Sequence, residues 1–544
     1  MRKKILVIAA VVLLLVVIFE IIRLERKVSS LKHSTKALTS LNYKQEQQSL
    51  RQNHLLEFLQ KNSFNTVKPG ISHNSLPEHK KELLFRLAED SYSSIPERTE
   101  AYRRLALYNY NSGSFVEKWS SIMHISAALD LEYSEENINL LANLLHLPNK
   151  SNLLLQLGNQ IQELSLLKSM LNNNSTSDEQ EILLGARMFW ILKRGRASEI
   201  DIVSPPNFKE ALKVKRRSMK KIPITKSNES NILLIIDDKY AGHATVTVSS
   251  ILLNASPDAK YNFYFLMNKA EPVSASNIQK IKSLGHMHNA TFNFLEFPEE
   301  LIDQQPSSIK NKVNAINERY EQAKNNDNQS KWPSLIAYRL YIDKALPQID
   351  KILYLDADII INTDLHRLFS MDIDNYYLAA AVDFPFFSEK AASLSDCSKQ
   401  KMFFYFNSGV LLLNLRKMRS ENFYAQVSHF LDNNKKCELT FFDQDALNIL
   451  VNNKVYKLSN TWNYPEGLNY RSEFLTGNEL IYPNIHHMYF NPAKKDVTKP
   501  WKQKNAQQLW KEGKFNEIHK IFWSYWAYRD LVQEILKSTP YSNL

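Results

Sequence analysis

Two acidic clusters, each placed directly after an apolar run, are the residues of this chain best suited to chemistry. Asp237-Asp238 ends the run Ile232-Leu233-Leu234-Ile235-Ile236, and Asp356-Ala357-Asp358 ends Ile352-Leu353-Tyr354-Leu355. Two carboxylates one residue apart offer hard oxygen ligands that suit Mg²⁺ or Mn²⁺, and an imidazole partner would tilt the choice towards Mn²⁺. The tripeptide alone says little, because Asp372-Ile373-Asp374 and Asp443-Gln444-Asp445 share its spacing and such aspartates often only solvate a turn. What singles out Asp356 and Asp358 is the strand in front of them. The chain has neither a P-loop nor a Gly-x-Ser-x-Gly elbow, so ATPase and serine-hydrolase chemistry lack their motifs.

Such clusters need a scaffold that brings strand ends together. A run apolar at every position, rather than at alternate ones, marks a strand buried on both faces. Tyr261 to Met267 and Thr291 to Phe297 are further strand candidates, with helices expected over Gly242 to Leu253 and Ser276 to Leu284. This alternation predicts an α/β domain with a mostly parallel sheet from residue 231 onward. Open α/β sheets bind ligands beyond the carboxyl ends of their strands, so the two clusters should meet at one site. Residues 79–200 differ: Leu83, Leu84 and Leu87, then Leu105, Ile122 and Ile125, then Leu140, Leu141, Leu144 and Leu145 recur at helical spacing with little glycine. They predict an all-α accessory domain of stacked helical hairpins. Ser204-Pro205-Pro206 and the basic cluster from Lys213 to Lys221 mark 201–230 as a connector.

Five separated segments, in order, resemble glycosyltransferase family 8, which includes the glycogenins and bacterial lipopolysaccharide α-glycosyltransferases. They are Ile235-Ile236-Asp237-Asp238-Lys239-Tyr240-Ala241; Ala337-Tyr338-Arg339-Leu340 leading into Asp350 to Asp358; Tyr405-Phe406-Asn407-Ser408-Gly409-Val410-Leu411-Leu412; Phe442-Asp443-Gln444-Asp445; and Ile485-His486-His487-Met488, closed by Lys499-Pro500-Trp501. The resemblance covers roughly 231–530. It implies a GT-A fold (a Rossmann-like nucleotide-diphospho-sugar transferase domain) and a retaining transfer of a hexose from a UDP-sugar to a saccharide or glycolipid acceptor. Residue by residue, it implies that Asp237 and Tyr240 hold the uridine and that Arg339 binds donor phosphate or sugar hydroxyls. Asp356, Asp358 and His487 would bind Mn²⁺ (or Mg²⁺), and Lys499 would add positive charge at the leaving group. Asn407, Asp443 and Gln444 would line the sugar pocket, with Asp443 either a nucleophile or an orienting hydrogen-bond partner. Adjacent strand residues face opposite ways, so only one of His486 and His487 can be the ligand; the alignment of Pro483-Asn484-Ile485 favours His487. Between His487 and Lys499 the chain is longer than the family's usual turn and lacks its glycine.

The first half carries a different message. Arg2, Lys3 and Lys4 precede an apolar run from Ile5 to Phe19, extended by Ile21 and Ile22, with no small-residue cleavage site after it. This reads as an uncleaved single-pass anchor (1–22), followed by a polar stem (23–78). Arg23, Arg26, Lys27, Lys32 and Lys36 after the run lean towards a cytoplasmic catalytic half if the source is bacterial, with a Golgi type II arrangement the eukaryotic alternative. A net charge of +11 and a pI near 9.1 suit an anionic partner. Sugar nucleotide and membrane, not nucleic acid, are the expected ones. Two cysteines in 544 residues exclude a disulfide framework. The aromatic stretch from Trp510 to Tyr528, interleaved with lysines, either packs on the catalytic domain or lies on a membrane surface, and 531–544 would be a tail. Two rival readings are a tethering scaffold with an inactive sugar-nucleotide domain and a nucleotidyltransferase on a related fold.

Overall fold

The computed structural model describes residues 78–90, 93–111, 114–147, 160–173, 176–194, 205–219, 228–269, 271–303, 335–383, 387–398, 402, 404–433, 439–452, 454–465, 483–488, 500 and 520–537. The expected anchor and nearly all of the stem lie outside these residues, as does Lys499. Among the described residues no helix is long and apolar enough to cross a membrane.

The helical region comprises α1 (Glu78–Glu89), α2 (Ile95–Asn111), α3 (Phe115–Leu131), α4 (Glu135–Leu144), α5 (Gln160–Leu171) and α6 (Asp178–Arg194). Its starts are written locally. Ser94 N donates to Glu97 Oε2 at 2.9 Å and Glu97 N to Ser94 Oγ at 3.4 Å, a reciprocal capping box; Ser114 and Ser134 cap α3 and α4. Helix α3 is buried nearly all round, through Trp119, Ile122, Met123 and Ile125, because α2 and α6 pack on it.

The expected connector contains a further helix, α7 (Pro205–Met219). Its Pro-Pro start is tolerated because first-turn N–H groups have no intrahelical partner, and Phe208, Ala211, Leu212 and Val214 give it a buried face. The basic cluster divides by face: Lys213 pairs with Glu534 at 3.0 Å, whereas Lys215 is buried.

The α/β domain follows with β1 (Asn228–Ile235), α8 (Asp238–Asn254), β2 (Ala259–Met267), α9 (Ala275–Ser283), β3 (Ala290–Glu296), β4 (Lys351–Leu355), β5 (Ile359–Ile361), β6 (Leu378–Ala381), β7 (Val410–Asn414), α10 (Phe442–Val451), β8 (Val455–Leu458), β9 (Tyr464–Pro465), β10 (Ile485–His487) and α11 (Lys520–Lys537). The main sheet has the order β3-β2-β1-β4-β7-β6-β8, and β5-β10-β9 form a small second sheet. The main sheet is mixed: β7 runs antiparallel to both β4 and β6, while the other neighbours pair in parallel. The exception has a use, since a reversed strand starts where β4 ends and so sets residues 407–409 beside Asp356. The whole is a GT-A-like α/β domain with a mixed sheet behind an N-terminal helical region.

The two parts share a core. The apolar cluster of the helical region takes in Val246 and Leu253 of α8, Ile360 of β5, Met488, and α11's Trp523, Tyr525, Trp526, Tyr528, Leu531 and Ile535. The described aromatics from Trp523 to Tyr528 therefore pack inside the protein, with Trp510 and Phe515 lying outside the described residues, and α11 continues through 531–537, where a tail was expected.

Lys215 sits in this junction, its Nζ 2.5 Å from Asn254 Oδ1 and 4.6 Å from the centre of the Trp119 ring. Burial pushes its pKa down to about 7. The unfolded chain stays protonated up to the ordinary lysine range, so between about pH 7 and 10 it binds the extra proton and stability contributed at this position rises with pH. Lys215→Met removes the cost of burying the ammonium. Its stability advantage over wild type, measured by denaturant unfolding, should shrink by roughly 1.4 kcal/mol per pH unit across that window. An advantage constant from pH 6.5 to 9.5 would refute a buried, titrating Lys215.

Candidate functional site

Strands β1 and β4 are parallel neighbours, with Ile232 opposite Leu353 and Leu233 opposite Tyr354, so Asp237 and Asp356–Asp358 emerge from the same end of the sheet. Asp237 is the N-cap of α8, its Oδ1 accepting from Tyr240 N at 2.8 Å, and the helix points its N-terminus at this edge. Thr247 Oγ1 donates to the carbonyls of Ala357 and Ile359, fastening α8 beneath the acidic loop.

The second sheet supplies the imidazole. In the antiparallel pair β5–β10, His487 lies opposite Ile359, and Met488 N donates to the Asp358 carbonyl at 2.9 Å. That register puts His487 Nε2 3.2 Å from Asp358 Oδ1 and 3.6 Å from Asp356 Oδ2. Ligand atoms of Asp356, Asp358 and His487 all lie within 4.8 Å of one another, the one such group of three among the described residues. His486 turns to the opposite face, its ring edge-on to Tyr464.

The tautomer of His487 follows from a chain of amides. Gly409 N donates to Asn407 Oδ1 at 2.9 Å, so that oxygen also accepts from Asn463 Nδ2 at 2.8 Å. Asn463 is left with Oδ1 towards His487 Nδ1, at 2.8 Å, which places a proton on Nδ1. Nε2 is then the ring nitrogen turned towards the two carboxylates, where the three side chains could share a cation. Donor set, spacing and orientation all fit a divalent metal ion.

Arg339 is buried and holds this centre from behind. Nη2 donates to Asp356 Oδ1 at 2.8 Å and to Tyr354 Oη at 2.6 Å; Nη1 donates to Ser408 Oγ at 2.5 Å and pairs with Asp443 Oδ2. Burial by itself would lower its pKa, but Asp443, Tyr354 and Asp356 outweigh that and raise it, so the guanidinium stays charged. The sequence directs Arg339 at the donor; in the fold its fork is directed at Asp356 and Asp443. Asp443 has no exposed surface, and burial raises its pKa against the pull of Arg339. Gln444 accepts from Ser408 N at 2.8 Å and donates to Asp383 Oδ2 at 2.9 Å, and Asn407 Nδ2 donates to the same oxygen at 3.3 Å.

Other acidic pairs separate from the site. Asp445, one residue beyond Gln444 on α10, points elsewhere and accepts from Tyr405 Oη at 2.6 Å; Asp372 accepts from Asp374 N in an exposed turn. Asp383, Asn463 and Tyr354 were missed from sequence. Asp383 had a findable signal: Leu378 to Val382 is a third apolar run ending in a carboxylate, disguised by three alanines that read as helix. Asn463 and Tyr354 carry no local signal.

The chain is similar to several known proteins. The model of a family described as glycosyl transferase family 8 matches residues 231–505. A Haemophilus influenzae protein assigned as a glycosyltransferase is 30% identical over 239 residues, 44% of this chain and 64% of that protein, so the match spans less than two thirds of that relative. A lipopolysaccharide 1,2-glucosyltransferase of Escherichia coli is 24% identical over 354 residues, 64% of this chain and 88% of its own. Among solved structures, the galactosyltransferase LgtC with donor and acceptor sugar analogues is 22% identical at a TM-score of 0.40, covering 57% of this chain and 98% of that one.

Proposed function

The chain belongs to glycosyltransferase family 8, and on that premise we propose that it is a retaining enzyme transferring a hexose from a UDP-sugar to a saccharide or glycolipid acceptor in lipopolysaccharide or other glycan assembly. The observation that carries this reading is the convergence of Asp356, Asp358 and His487 at the strand ends where Asp237 opens α8. Those three residues would hold Mn²⁺ or Mg²⁺, which when bound supplies positive charge to a diphosphate leaving group.

The remaining roles fall to the chain's own groups. Tyr240, in the first turn of α8, offers a ring face to uracil, and Asp237 keeps one carboxylate oxygen beyond its cap for the ribose. Arg339 and Tyr354 fix the rotamer of Asp356. Asn407, Gln444 and Asp383 form a bonded polar group beside the metal residues, suited to sugar hydroxyls. Lys499, outside the described residues, would stand by the departing phosphate. The burial of Asp443 behind Arg339 and Ser408 favours a front-side route without a protein nucleophile. There the acceptor oxygen bonds to the anomeric carbon as the bond to the diphosphate breaks, and the acceptor's proton passes to the departing phosphate oxygen. The apolar run Ile5 to Phe19 supports attachment to a membrane, with the basic residues after it favouring a cytoplasmic catalytic half.

The test is a panel of UDP-sugars offered to the full-length protein with Mn²⁺ and no acceptor. Slow release of UDP from one donor, stopped by a chelator, is the expected result. If no donor is bound or cleaved, the reading fails and the scaffold alternative takes its place.

A further inference from the structure

Helix α1 lies outside the family match, yet its last residue reaches the root of the strand that carries His487. Glu89 Oε1 accepts from Asn484 Nδ2 at 2.7 Å and from Arg367 Nη2 at 2.8 Å, and the Glu89 carbonyl accepts from Ser459 Oγ at 3.4 Å. Its side chain is 3% exposed. Asn484 is fully buried and acts as a hub: its N donates to the Thr461 carbonyl at 2.8 Å, its carbonyl accepts from Asn362 N at 2.8 Å, and its Nδ2 also reaches Thr461 Oγ1 at 3.0 Å. Strand β10 begins at the next residue. Thr461 is two residues before Asn463, which holds the proton-bearing nitrogen of His487. The Arg367 guanidinium lies 3.6 Å from the ring centre of Phe85 on α1 and 4.5 Å from that of Trp462, binding helix and turn together a second time.

Both supports of the His487 imidazole, strand β10 and the turn at 460–463, therefore converge on one carboxylate contributed by the helical region. We propose that Glu89 is a positioning residue for the metal site, through which the helical region sets the cation affinity of the catalytic half. The inference rests on Asp356, Asp358 and His487 being that site. It gives the helical region a function its fold does not announce: it anchors, through Asn484, the strand and turn that hold the His487 imidazole.

The experiment titrates Mn²⁺ into the full-length protein with UDP present, by calorimetry or electron paramagnetic resonance, alongside thermal unfolding. Glu89→Ala should raise the Mn²⁺ Kd by up to about tenfold, the lower end of what loss of a ligand's own hydrogen-bond partner costs, because Glu89 acts on His487 through Asn484. Leu141→Ala, in the core of the helical region, serves as the control: it should lower the Tm and leave the Kd within about twofold, because its cavity is local. Glu89→Gln keeps an acceptor for Asn484 and loses the charge facing Arg367, so it should fall between wild type and Glu89→Ala, and it carries the test if the alanine variant does not fold. A Kd unchanged from wild type in the folded variants would overturn the inference while leaving the metal site standing. Failure of the wild type to bind Mn²⁺ would overturn both.

Discussion

Asp358→Asn should reduce metal-dependent release of UDP by about a thousandfold or more while the protein remains folded. The substitution is chosen for its economy of damage. The main chain of Asp358 is part of the structure: its carbonyl receives Met488 N and continues the β5–β10 ladder, which asparagine preserves. What the side chain supplies is charge, an oxygen 3.2 Å from His487 Nε2. Removing one of two carboxylates from a site of three ligands forfeits several kcal/mol of cation binding and leaving-group stabilisation, and each 1.4 kcal/mol is roughly tenfold in rate. Asp356 makes a less clean test, because its other oxygen neutralises Arg339, and Asp356→Asn would also unbalance the buried pair with Asp443. The measurement is kcat at saturating Mn²⁺ beside a thermal melt. An Asp358→Asn protein that keeps a tenth or more of wild-type activity would exclude Asp358 as a metal ligand.

Gly409→Ala should do damage out of proportion to a single methyl, with activity falling about a hundredfold. A Cβ at this position would lie 2.2 Å from His487 Cε1 and 2.6 Å from Asp356 Oδ2. The backbone cannot retreat, since the Gly409 carbonyl accepts from Asp356 N at 2.8 Å and Gly409 N donates to Asn407 at 2.9 Å. The imidazole and carboxylate must move instead, and displacement of a reacting or ligating group by about an ångström costs on the order of a hundredfold. The stability cost of one overpacked methyl is smaller, about 1–3 kcal/mol. Loss of activity and of Mn²⁺ affinity should therefore exceed what the change in Tm would suggest. Wild-type metal dependence in Gly409→Ala would show that the imidazole is not confined as described.

Strand ends and charge were legible in the linear sequence because each is a local property. A strand buried on both faces must be apolar at every position, so the continuous runs before Asp237 and Asp356 announced both the sheet and the edge where the acids gather. The order of five motifs then identified the family.

What the sequence could not decide depended on contacts between distant segments. Strand alternation required one of His486 and His487 to face the acids; the register of β5 against β10, more than a hundred residues apart in the chain, made it His487. Arg339 could not be seen to hold Asp356 and Asp443, because only the fold brings three separate segments round one guanidinium. The basic connector concealed α7, whose apolar face has meaning only against α6 and α11. Glu89 is the extreme case: nothing near it in sequence suggests chemistry, and its link to the root of the His487 strand exists only because Asn484, 395 residues away, lies within a hydrogen bond of it. Local pattern fixes which elements form and where they end, whereas side-chain partnership is a property of three-dimensional proximity, and only the tertiary structure decides it.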